Sequence, residues 1–234
     1  MNEVYNTSQF EKDLHELQID LEPAQIDQLL VYYEMLVEWN QKMNLTAINE
    51  TEEIYEKHFL DCIMALNDKV SGKVIDVGSG AGFPGMVWKI VRPELKMTLL
   101  EPTQKRCRFL NEVIRQLDLK EIEVISERAE DHVRKKREYY DTVTARAVAN
   151  MNVLSELCLP LLREKGAFIA MKGAAGKEEL RAAEKAISLL GGSVQAAERE
   201  ELNGAVRYNI TIQKVKKTPE KYPRRYDQIK KKPL

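Results

Sequence analysis

Between Pro23 and Asn44 apolar residues return every three to four positions, at Ile26, Leu29, Leu30, Tyr33, Leu36 and Val37. That period predicts one long amphipathic helix, opened by the Glu22-Pro23 pair. Phe10, Leu14, Leu17 and Ile19 predict a shorter helix before it, and Ile54, His58, Cys62 and Ala65 line one side of another over about residues 52–66. A helical segment spanning residues 1–68 therefore carries apolar stripes that need a packing partner. At Lys73 the rhythm changes to short apolar runs separated by helical patterns, the signature of a mostly parallel sheet with crossover helices. Strands are predicted at Val74–Val77, Lys96–Glu101, Ile122–Ser126, Thr142–Ala145 and Ala167–Met171, followed by a closing pair at Ser193–Glu198 and Arg207–Gln213. Helices are predicted at Phe83–Val91, Thr103–Leu117, from near Glu130, at Met151–Leu161 and at Lys177–Leu190, where Gly191-Gly192 ends the pattern.

The first predicted strand runs into Asp76-Val77-Gly78-Ser79-Gly80-Ala81-Gly82-Phe83-Pro84-Gly85. Glycines at alternate positions let a backbone leave a strand, turn without Cβ clashes and lie close to a ligand before a helix starts. Such a turn also occurs as a plain strand-to-helix connection, so its flanks must decide. A dinucleotide site receives phosphates, which a carboxylate at the strand end would repel; Asp76 instead suits a ligand with a cationic amino group and no phosphate, as S-adenosylmethionine is. Ligands of doubly wound sheets sit beyond the carboxyl ends of the strands. Glu101, at the end of the second strand, is placed to accept hydrogen bonds from ribose hydroxyls, a role shared with NAD enzymes. After the third strand comes Glu127-Arg128-Ala129-Glu130, where a small residue beside an adenine plane and an acceptor for its exocyclic amine would be expected, although Glu130 also suits the first turn of a helix. Seven strands with a final hairpin favour an α/β class I S-adenosylmethionine-dependent methyltransferase, a Rossmann-like seven-stranded sheet with an N-terminal helical extension, over a six-stranded dinucleotide fold.

The fourth strand ends in Thr144-Ala145-Arg146-Ala147 and lacks the Asp/Asn-Pro-Pro-aromatic segment common in methyltransferases of exocyclic amines. A ring nitrogen with a free lone pair, such as guanine N7, needs no general base, and its methylation rests on proximity, orientation and desolvation. No residue is therefore assigned as catalytic; Arg146 is given an orienting role, toward the cofactor or guanine O6, with a structural ion pair as its alternative. No Gly-x-Ser-x-Gly elbow or Cys/His nucleophile pair is present. His58 and Asp61 lie on one helix face and read as a packing pair, with no metal site expected. Cys62, Cys107 and Cys158 are widely spaced and are expected to be reduced.

Charge adds the partner. Residues 1–60 carry thirteen acidic and three basic side chains, whereas residues 214–234 carry nine basic and two acidic ones. The basic end suits a phosphate-bearing partner, with a solvated terminus as the alternative. Lys105, Arg106 and Arg108 flank the mouth of the expected site, and Lys172 stands on the same rim. The 44% hydrophobic and 31% charged composition is that of a soluble globular protein, without an apolar run of membrane-spanning length. The polar start Met1 to Asp20 shows no secretory signal, so a cytoplasmic location is expected.

Several stretches together resemble one family: Asn44-Leu45-Thr46-Ala47-Ile48, His58-Phe59-Leu60-Asp61, the turn from Asp76 to Gly85, Lys105-Arg106-Cys107-Arg108-Phe109-Leu110, Ala145-Arg146-Ala147, Met171-Lys172-Gly173 and Tyr222-Pro223-Arg224-Arg225. The resemblance is to the RsmG family, also called glucose-inhibited division protein B, and covers nearly the whole chain. It implies a bacterial enzyme that moves a methyl group from S-adenosylmethionine to guanine N7 in the 530 loop of 16S ribosomal RNA. It also implies cofactor contacts at Gly78, Phe83, Ala129, Glu130 and Arg146, with Asp76, Gly80 and Glu101 expected from the fold. The Tyr226-Asp227-Gln228-Ile229 continuation departs from the family's usual tail and leaves the RNA contacts of Arg224 and Arg225 open. The expected division is 1–68 helical extension, 69–215 methyltransferase core and 216–234 basic tail. A monomer acting on 16S ribosomal RNA or the small ribosomal subunit, with no membrane, is expected. The rival readings are an NAD-dependent oxidoreductase and a noncatalytic ribosome-binding assembly factor that retains the fold.

Overall fold

The computed structural model describes residues 8–43, 55–202 and 204–234. The Asn44 to Ile48 stretch and the expected helix start at residues 52–54 lie outside them. Seven strands form one sheet in the order β3-β2-β1-β4-β5-β7-β6. They are β1 Lys73–Val77, β2 Lys96–Leu100, β3 Ile122–Ile125, β4 Tyr140–Arg146, β5 Leu162–Lys172, β6 Gly192–Leu202 and β7 Ala205–Lys214. The first five are parallel, and β7 enters antiparallel between β5 and β6. Strand order reverses between β1 and β4, which opens the ligand crevice at their carboxyl ends.

Helices are α1 Ser8–Glu16, α2 Pro23–Met43, α3 Asp61–Met64 preceded by a π-helical turn Tyr55–Leu60, α4 Gly85–Val91, α5 Gln104–Gln116, α6 Ala129–Lys136, α7 Met151–Cys158, α8 Gly176–Leu189 and α9 Tyr226–Lys231. Successive strand residues point to opposite faces, so Val74 enters one core and Ile75 the other. The first core receives Phe10 from α1, Leu29, Tyr32 and Leu36 from α2, Phe59, Trp88 from α4 and Phe109 from α5. The stripes of the N-terminal helices are therefore buried on the same sheet face as α4 and α5. The second core contains Leu154 and Leu157 of α7 and Ile187 of α8, and it also takes in Tyr222 and Ile229 from the basic C-terminal segment.

That C-terminal segment is docked on the core. Arg137 donates to the carbonyls of Thr218, Pro219 and Tyr222 at 2.9, 3.1 and 2.8 Å, using its fixed fork to hold the segment 218–222 against the core. The Thr218 amide donates to Glu138 at 2.9 Å, and Asn152 donates to the Leu234 carbonyl. Lys214 is buried, with its ammonium satisfied by the carbonyls of Leu159 and Leu162, the Thr218 hydroxyl and Glu138. The three cysteines are free and buried.

Candidate active site

β1 delivers the chain into the glycine turn, and nearly every polar group of that turn is tied down. The amides of Gly78 and Ser79 donate to the Leu100 carbonyl at 2.8 and 3.2 Å, and the Ser79 hydroxyl donates to the Asp76 carbonyl at 3.0 Å. Gly80 N–H donates to Glu101 Oε2 at 2.9 Å, and Thr103 N–H donates to Glu101 Oε1 at 2.8 Å. From the helical extension, the Tyr32 hydroxyl donates to the Ala81 carbonyl at 2.5 Å. Two glycines are dictated by space as well as by backbone angle. Gly78 has φ +73°, and a Cβ there would lie 2.8 Å from Val148; Gly82 has φ +108°, and a Cβ would lie 2.6 Å from the Tyr32 hydroxyl.

Asp76 departs from the sequence expectation. Its carboxylate is fully buried, and Asp76 is not among the residues that line the cleft beyond the turn. The start of α4 needs an acceptor for the Gly85 N–H, and Asp76 Oδ2 supplies it at 2.9 Å. Oδ1 has no hydrogen-bond partner among the described residues. Burial pushes the Asp76 carboxyl up to about 7, against the pull of the Gly85 N–H and Arg146.

Beyond the turn lies a narrow cleft. Val77, Gly78, Leu100 and Pro102 form one side, Arg128, Ala129 and Glu130 at the start of α6 form another, and Val148, Leu157 and Tyr226 complete it. Burial raises the Glu130 carboxyl above the usual range. This is an apolar slot with carboxylates at its margin, open along a glycine backbone, which matches a flat heterocycle joined to a ribose.

At the neighbouring end of β4 a polar cluster gathers around Arg146. Its guanidinium donates to Asp61 Oδ2 at 3.1 Å and to His58 Nδ1 at 2.6 Å, and it lies 4.9 Å from the Phe83 ring centre. The His58 ring stacks on Phe83 at 4.3 Å with an interplanar angle of 11°. Asp61 also meets Arg207 Nε at 3.3 Å. Since arginine has no acceptor, His58 Nδ1 must accept, which leaves the neutral ring's proton on Nε2. Ala147 follows in the left-handed region at φ +56°, a strained conformation of the kind that collects at functional sites. His58 and Asp61, expected from the sequence as a packing pair, both hold Arg146. Their spacing on the His58-Phe59-Leu60-Asp61 stretch was visible, but the partner Arg146 is 85 residues from Asp61.

The expected RNA contacts divide. Lys105 and Arg108 are exposed on the first turns of α5, and Arg106 reaches back to within 3.7 Å of Glu101. Lys172 is a correction: its side chain is largely buried, 2.7 Å from Glu179, and donates to the Ala149 carbonyl at 2.8 Å. Arg224 is a second one, since its backbone and guanidinium together make three hydrogen bonds to buried Glu156 at 2.9, 2.8 and 2.6 Å. Both cations satisfy carboxylates of the fold. Arg225 is exposed, 3.5 Å from Asp227.

The sheet order and this cleft define a class I S-adenosylmethionine-dependent methyltransferase. Solved structures share the fold: a precorrin-6y C5,15-methyltransferase from Geobacter metallireducens superposes with a TM-score of 0.51 at 15% identity, covering 74% of this chain and 91% of that one. The 16S rRNA (adenine(1408)-N(1))-methyltransferase from Catenulisporales acidiphilia, solved with SAM, gives 0.53 at 12% identity over 68% and 92%. The profile of GidB, rRNA small subunit methyltransferase G, matches residues 25–204, and the chain belongs to that family. Proteins named ribosomal RNA small subunit methyltransferase G from Oceanobacillus iheyensis and Staphylococcus carnosus are 46% and 49% identical, over 97% and 94% of this chain and 98% and 95% of theirs.

Proposed function

We propose that this enzyme methylates N7 of a guanine in the 530 loop of 16S ribosomal RNA. The observation that carries the reading is the end of β4: within a family of ribosomal RNA methyltransferases, this chain places Arg146 where an amine-directed enzyme needs a carbonyl and acceptor set. S-adenosylmethionine, when bound, supplies an electrophilic methyl group. The rest is the protein's part. Glu101 spends one lone pair per oxygen on a backbone N–H and keeps others for the ribose hydroxyls. Gly78 and Gly80 bring bare backbone to the ligand, Ala129 leaves room for adenine, and Glu130 accepts from its exocyclic amine. Asp76 acts from below, by fixing the turn. Phe83, stacked under His58, sets the floor between the donor and Arg146.

Guanine N7 carries its own lone pair, so no side chain has to remove a proton. His58 is unsuited to do so, because Nδ1 is held by Arg146. Arg146, fixed by Asp61 and His58, is placed to donate to guanine O6 and turn N7 toward the methyl group. Exposed Lys105, Arg108 and Arg225 hold phosphates at the rim. No helix of the described residues is long and apolar enough to cross a membrane. The test is incubation with unmodified small-subunit RNA and tritiated S-adenosylmethionine, followed by digestion to nucleosides. Label in 7-methylguanosine is expected. Label in another nucleoside overturns the atom assignment, and no label at all favours the noncatalytic assembly factor.

A further inference from the structure

The basic C-terminal segment reads from its charge as a nucleic-acid anchor, but its central residue sits elsewhere. Tyr226 opens α9, is partly buried against the second core and lines the cleft beside Gly78, Leu100 and Ala129. It is the one aromatic residue among those lining that cleft. The segment is held for this placement at both flanks. Two residues before it, Arg224 is locked to buried Glu156, and three residues after it, Ile229 is fully buried. The Arg128 guanidinium lies over the Tyr226 ring at 5.3 Å, which restrains the ring's tilt.

We propose that Tyr226 is a cofactor-binding residue, the aromatic wall against which the adenine of the methyl donor packs, so that the C-terminal segment completes the cofactor site. This rests on the cleft being the S-adenosylmethionine site. The other lining groups include no aromatic ring, and the one planar cation among them, Arg128, already lies over the Tyr226 ring. A tyrosine offers a flat, polarisable surface of matching size on which a base can stack. Removing the tail should therefore weaken cofactor binding as well as RNA binding, an outcome that a tail acting only through charge would not give.

The test is calorimetric titration of the full chain with S-adenosylhomocysteine. Tyr226→Ala should raise Kd about tenfold or more, and Tyr226→Phe should stay within about threefold of wild type, because the phenyl face remains. Thermal melts accompany each titration. Should Tyr226→Ala melt below the assay temperature, Tyr226→Leu keeps the apolar bulk at this position, loses the π face and carries the same expectation. Wild-type affinity in Tyr226→Ala or Tyr226→Leu, with the unmodified chain binding normally, overturns the wall alone. Failure of the unmodified chain to bind the probe overturns the cofactor reading and the wall together.

Discussion

The Tyr32 hydroxyl on α2 is bonded to the Ala81 carbonyl inside the glycine turn, 49 residues away, at 2.5 Å. The same ring packs among Phe59, Phe83 and Phe109, at centroid distances of 5.4, 5.6 and 6.3 Å. The N-terminal extension thus braces the glycine turn. Tyr32→Phe keeps the packing and leaves a buried carbonyl without its donor, which should cost about 1–3 kcal/mol in urea unfolding. It should also raise the S-adenosylhomocysteine Kd, because the turn loses its brace. An unchanged unfolding midpoint together with unchanged affinity would show that the turn holds itself.

Asp76 predicts a pH dependence of known sign. Its carboxyl stands at about 7 in the folded chain against 3.8 unperturbed, so between those values the folded state binds the extra proton. Stability through this group is fully present below the unfolded value and is lost as pH rises toward 7. Asp76→Asn retains an acceptor for the Gly85 N–H and carries no charge. The stability of the variant relative to wild type should climb between pH 4 and pH 7 by on the order of 1.4 kcal/mol per unit. Parallel stability curves for the two proteins would refute the burial account.

Arg146→Ala should lower kcat/KM for methyl transfer at least about a hundredfold, measured well below the variant's melting temperature, and should also lower the thermal midpoint, because largely buried Asp61 loses one of its two cationic partners. Asp61→Asn should act the same way but more weakly, since His58 still holds one side of the guanidinium. A fully active Arg146→Ala enzyme would return this cluster to a structural role.

Cations on the rim should separate by salt dependence. Arg108→Ala or Lys105→Ala should weaken RNA binding and reduce the slope of log K against log salt by about one. Lys172→Met should instead lower stability and leave the slope alone, because its ammonium is committed to Glu179 and the Ala149 carbonyl. A salt slope altered by Lys172→Met would put that residue back among the RNA contacts.

These corrected residues mark where sequence stops being legible. Val74 to Val77 and the glycines after it declare strand and turn through local sterics and apolar period, so β1 and the cleft's floor could be read directly. Local signals also placed α2, whose stripe is long and regular. Lys172 reads as a rim cation and Arg224 as an RNA contact of the tail because nothing local shows that Glu179 and Glu156 claim them; those pairings are tertiary. Tyr226 lay inside a charge-rich terminus, where composition masks the apolar anchors Tyr222 and Ile229. The π-helical turn Tyr55–Leu60 departs from the 3.6-residue period that helix reading relies on, and His58 within it and Asp61 just after it both reach Arg146.

A crystal structure of the chain with S-adenosylhomocysteine bound tests the central claim most directly. The account predicts adenine between Ala129 and Tyr226, ribose hydroxyls on Glu101, and the sulfur beside Phe83 with open space toward Arg146. A cleft that stays empty at saturating ligand, or that takes a dinucleotide pyrophosphate along the glycine turn, would contradict it.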